Sequence, residues 1–143
     1  MVISREVINT RLIRLDKALQ ILQQSSKVSF EELMDNDVLL SAVERNLHIA
    51  IECVLDIGNH IIAEKGFETP EDNEDIIRIL GNERVIPSEF ASRVKGMAGF
   101  RNVLVHEYTG IDYRLLHSYL IYRLDDLREF AHHISLYLEK EKI

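Results

Sequence analysis

Apolar residues recur at helical spacing along nearly the whole chain. Ile8, Leu12, Leu15, Leu19 and Leu22 are separated by four and three residues, which predicts a helix from about Ser4 to Gln24, ended by Ser25-Ser26. Ser29-Phe30-Glu31-Glu32 has the serine and glutamate spacing of a capping box and predicts a short helical turn. Asp35-Asn36-Asp37 is the next start signal. Val43, Leu47, Ala50, Val54, Ile57 and Ile61 predict a second long helix from about Val38 to Lys65, with Gly66 just past its end. Thr69-Pro70-Glu71-Asp72 supplies a cap, a proline for the first position and acids for the first turn. It predicts a third, shorter helix with Ile76, Ile77, Ile79 and Leu80 as apolar content, closed by Gly81-Asn82. Pro87 opens a fourth helix. Its Gly96 and Gly99 each cost about 1 kcal/mol relative to alanine, so a close approach to a neighbour is expected there. Thr109-Gly110 breaks the chain. Ile111-Asp112 then caps a last helix from about Tyr113 to Lys140, striped by Leu120, Leu124, Leu127, Ala131, Ile134 and Leu138.

No segment alternates with the period of a strand, and there is no repeat or low-complexity tract. Four long helices and one short one, joined by short turns, predict an all-α fold: an antiparallel four-helix bundle with an additional short helix, residues 1–143 forming one domain. A hydrophobic fraction of 46% in 143 residues is enough for an ordered core. No apolar run approaches about 18 residues, so no membrane span is expected. Met1 to Arg14 has charges throughout and no apolar core, unlike a secretory signal. The single cysteine, Cys53, sits among Ile51, Val54 and Leu55 and reads as a buried apolar residue rather than a reactive thiol. A cytoplasmic setting is the expectation. Tyr113, Tyr119, Tyr122 and Tyr137 read as packing residues with wet tips, base stacking being the alternative, and His132 and His133 read as surface.

The net charge of −7 argues against a nonspecific nucleic-acid coat. Its distribution matters more. Arg84 to Arg123 holds six cations and three acids, a balance of +3 that leaves −10 elsewhere. A local basic patch suits an RNA cleft, although a charged helix face is ordinarily just solvated.

Within that stretch, Gly99 to Tyr108 gathers Arg101, Asn102, His106 and Tyr108. RNA cleavage without a metal needs a base for the 2′-hydroxyl proton, an acid for the leaving oxygen and a fixed cation facing the phosphorane. Histidine titrates near neutral pH and serves as base or acid. Arginine stays charged and matches phosphate oxygens with its planar fork. An amide orients either. On an ideal helix His106 lies about 140° around from Arg101, whereas Arg101 and Tyr108 share a face. One helix therefore does not close an Arg–His pair; either it loosens near His106 or a second chain completes the site. On the second helix His48, Glu52, Asp56 and His60 recur every four residues. A metal-binding face is one reading. The row drifts by about 120°, however, and no second Glu-x-x-His occurs, so a polar face lining a cleft or a dimer seam is favoured.

The order Arg-polar-x-x-x-His-x-Tyr resembles the signature of HEPN-superfamily ribonucleases, and more narrowly that of HepT-type toxins. Met97-Ala98-Gly99-Phe100 and Asp56-Ile57-Gly58-Asn59-His60-Ile61-Ile62-Ala63 extend the resemblance, which spans roughly residues 5 to 135. It implies a HEPN-like bundle that dimerises and places two motifs in one cleft. It also implies metal-independent RNA cleavage with Arg101 and His106 catalytic, assisted by Asn102, and no cofactor. The implied partner is a minimal nucleotidyltransferase antitoxin, which in that family can transfer AMP to the tyrosine matching Tyr108. The competing reading is a non-catalytic helical module that dimerises and holds a nucleotidyltransferase; such a scaffold would not need the complete Arg101/His106 pair.

Overall fold

The computed structural model describes residues 2–105 and 110–143. Seven helices and no strand occur among them: α1 (Arg5–Gln23), α2 (Phe30–Met34), α3 (Asp37–Lys65), α4 (Asn73–Asn82), α5 (Ser88–Val105), α6 (Tyr113–Tyr122) and α7 (Leu124–Lys140). The all-helical expectation holds. Helix α3 is the centre. α1 packs along it, α4 and α5 pack on each other and on it, and α7 lies against α1 and α3.

The starts follow local chemistry. Ser4 Oγ accepts from the Val7 N–H, and Ser29 and Glu32 form the reciprocal capping box. Asn36 caps α3, and Gly66 ends it in the left-handed conformation at φ 67°. The predicted stripe of α3 is fully buried, and Ile51, Cys53, Leu55, Gly58 and Ile62 are buried as well. Helix α3 is thus enclosed on more sides than one stripe implies. Each such Ile or Leu contributes roughly 1.5–3 kcal/mol relative to exposure.

Three expectations need correction. Asp72, not Thr69, caps the third helix: its Oδ1 accepts from the Asp75 N–H, so Pro70 falls outside the helix. The last helix is two. The chain breaks at Arg123 (φ −116°, ψ 2°), whose guanidinium donates to Asp126 and to the Arg93 carbonyl. The close approaches are at Gly58 and Gly81 rather than Gly96. A Cβ on Gly58 would lie 2.6 Å from Ile76 Cγ2, and one on Gly81 2.7 Å from the Ala91 Cβ, whereas Gly96 faces open space. At Gly99 a Cβ would come within 3.1 Å of Glu74 Oε1.

Gly58 therefore sets how near α4 comes to α3. Gly58→Leu is expected to lower stability by about 1–3 kcal/mol through overpacking, read as an earlier urea midpoint. An unchanged midpoint would mean that α4 does not sit on Gly58.

The aromatic expectations hold in part. Tyr119 and Tyr137 are buried, while Tyr122 is 77% exposed. His132 is at the surface, but His133 is largely covered, pairing with Glu129 at 3.0 Å and meeting the Phe90 ring edge-on. Cys53 is buried, and burial pushes its thiol up, which suits an inert apolar role. No described helix is long and apolar enough to cross a membrane.

Candidate active site

The Pro87 carbonyl accepts from the Ala91 N–H to start α5, and Phe90, Val94, Met97, Ala98, Phe100 and Leu104 bury its inner side. Phe100 fixes the rotation of the end of the helix. It is 3% exposed and stacks on Tyr119 of α6, with ring centroids 4.3 Å apart. The next residue, Arg101, points at the polar row of α3.

There its Nε donates to Glu52 Oε1, and its Nη1 donates to Asn102 Oδ1 at 3.4 Å. His48 Nε2 lies 3.4 Å from the same Glu52 oxygen, one turn back along α3, near enough for an ion pair but without hydrogen-bond alignment. Asp56, one turn forward, pairs with Arg11 of α1 at 3.4 Å. His60 Nε2 accepts from the Ser4 N–H at 3.0 Å, so that nitrogen carries no proton in this arrangement. Burial, with the Glu52 charge beside it, pushes the Asp56 carboxyl up; Arg11, Arg14 and Arg101 pull the other way. The polar row is thus the seam where α3 meets one arginine from α1 and one from α5.

The structure brings Arg101 and Asn102 together and sets Arg101 against Glu52. His106 and Tyr108 lie outside the described residues. Glu52 as the partner of Arg101 was not singled out by the motif. The signal that could have found it is a partly covered acid on a helix face that needs a cation.

Chemically, a guanidinium held through Nε and one Nη1 proton keeps its Nη2 edge without a partner among the described residues, with the side chain 30% exposed. That edge is a preorganised fork for a phosphate, since little side-chain entropy is left to lose on binding.

Comparison with known proteins places the chain in a family. Residues 15–134 match the family described as Ribonuclease HepT-like. The YutE protein of Bacillus subtilis is 32% identical over 100 residues, covering 70% of this chain and 69% of that one. A tRNA nuclease HepT of Aphanizomenon flos-aquae is 25% identical over 132 residues, 92% of this chain and 90% of its own. The fold is also similar to that of a tri-AMPylated Shewanella oneidensis HEPN toxin solved in complex with MNT antitoxin. The TM-score is 0.82 at 22% identity, over 93% of this chain and 99% of that one. With the family matched over most of its length and its motif arginine set in a polar seam, the chain belongs to the HepT-like ribonucleases.

Proposed function

We propose that this chain is the ribonuclease toxin of a toxin–antitoxin pair, acting in the cytoplasm as a homodimer whose two motifs share one cleft. The observation that carries it is the Arg101–Glu52 contact, which aims a preorganised guanidinium edge outward from a HepT-like bundle. Arg101 holds the scissile phosphate and faces the phosphorane charge. His106 moves the proton as general base or acid, and Asn102 orients Arg101. The five-residue offset of His106 from Arg101 is the reason for a second chain: on one ideal helix the two side chains diverge by about 140°. The cognate nucleotidyltransferase silences the enzyme by adding AMP to Tyr108.

The test is incubation of purified, unmodified protein with RNA in EDTA. Cleavage should proceed, and light scattering should give a dimer. Inhibition by EDTA that added metal reverses would overturn the metal-independent assignment. Full activity from a protein that is monomeric at micromolar concentration would overturn the shared cleft.

A further inference from the structure

Two arginines reach the polar row of α3, and the motif accounts for only one. Arg101 comes from α5 and meets Glu52 through Nε. Arg11 comes from α1 and meets Asp56, also through Nε, at 3.4 Å. Glu52 and Asp56 are four residues apart, so the two carboxylates stand on one ridge about 6 Å apart along the helix axis. The first is a hydrogen-bonded ion pair and the second an ion pair without hydrogen-bond alignment, each reaching α3 from a different helix. Each guanidinium keeps a solvent-facing edge, the side chains being 38% and 30% exposed. Arg11 has no other ion pair or side-chain hydrogen bond among the described residues, and Arg14 adds its charge at Asp56.

We propose that Arg11, ion-paired with Asp56 one turn along α3 from the Arg101–Glu52 pair, is a second phosphate site that holds the RNA phosphate adjacent to the one at Arg101. The proposal rests on the ribonuclease reading of Arg101. Successive phosphates of a single strand are separated by a distance close to one helical turn of α3, so one strand laid along the ridge meets both forks. With Nε turned toward Asp56, the two Nη groups of Arg11 are left to chelate phosphate oxygens with a planar fork, which a lysine ammonium cannot present. In a chain of net charge −7, binding of a polyanion needs such local cations. The second site makes affinity depend on strand length: a ligand with one phosphate fills the Arg101 fork alone, and a longer one fills both.

Binding is measured by anisotropy competition with 2′-O-methyl oligonucleotides, which cannot be cleaved through the 2′-oxygen, carrying one phosphate or three. Wild type should prefer the three-phosphate ligand. Arg11→Gln should lose about tenfold in affinity for it, should bind the one-phosphate ligand as wild type does, and should show a salt slope shallower by about 0.7. Equal affinity of wild type and Arg11→Gln for the longer ligand would overturn the proposal. So would an equal loss on both ligands, or a variant that binds RNA normally and fails only to bind the nucleotidyltransferase, because the surface would then belong to a protein partner. Wild type that binds the oligonucleotides in this pattern and yet cleaves no RNA would defeat the ribonuclease reading instead, so the two failures are distinct.

Discussion

Arg101→Ala is expected to reduce RNA cleavage by at least about a thousandfold while melting close to the wild-type temperature. The asymmetry follows from where the side chain sits. Its contact with Glu52 is partly solvated on both sides, each side chain 30% exposed, so the pair adds no more than about 1 kcal/mol to stability. In the proposed catalysis the same guanidinium faces charge that exists only in the transition state, where a fixed cation is worth far more. Arg101→Lys should recover little. An ammonium is a point charge and cannot engage Glu52 through one nitrogen while presenting a planar fork with the others. Should the alanine variant melt early because Glu52 is left without its cation, adding Glu52→Gln removes that charge. The double variant should then melt normally and still fail to cleave. Near-wild-type cleavage by Arg101→Ala would remove the residue from the chemistry.

If the proposed function holds, Tyr108→Phe is expected to leave the protein immune to covalent silencing. The phenolic oxygen would attack the α-phosphorus of ATP held by the nucleotidyltransferase. A P–O bond forms to tyrosine, the bond to pyrophosphate breaks, and the phenolic proton leaves. The product is a phosphodiester anion seven residues from Arg101, a spacing that places the two on one face of an ideal helix. Such an anion competes directly with the RNA phosphate for the fork at Arg101 and repels the incoming backbone. The proposed silencing would therefore act by occupying the site, and the modified protein should melt like the unmodified one. After co-expression with a cognate nucleotidyltransferase, intact mass should rise by whole AMP units in wild type and not in Tyr108→Phe, whose toxicity should persist. Adducts mapped to Tyr113 or Tyr122, or suppression without any adduct, would exclude Tyr108 from the mechanism.

The helices were legible because their stripes bury large aliphatic residues at a fixed period. Ile8, Leu15, Leu19 and Leu22 on α1 and the six predicted positions of α3 all lie inside. What was hidden depends on contacts between distant residues. The break at Arg123 has neither proline nor glycine to mark it. It is held by Asp126, which also takes the Arg93 guanidinium from α5. Thr69-Pro70 looked like a start, but the Asp72 carboxylate captures the Asp75 N–H, and the Asp75 carboxylate in turn takes the Glu71 N–H. Gly58 and Gly81 carry the close packing because α4 crosses there, a fact of topology that glycine positions alone do not reveal. At the site the same division holds. Arg101 and Asn102 are adjacent and were visible as a motif. The row on α3 was visible as a polar face. That Glu52 is the member that meets Arg101, and that Arg11 meets Asp56, are pairings across 49 and 45 residues that only the folded chain displays.

On the proposed function this chain cuts RNA by attack of the substrate's own 2′-hydroxyl, with Arg101 and His106 supplying charge and proton transfer in place of a metal. The ends of the cut RNA report this directly. Mass spectrometry of fragments made by the unmodified protein in EDTA should find a 2′,3′-cyclic phosphate on one side and a 5′-hydroxyl on the other. A substrate with 2′-deoxyribose at the cut position should stay whole. A 5′-phosphate beside a 3′-hydroxyl, or cleavage of the deoxy-substituted strand, would contradict the account.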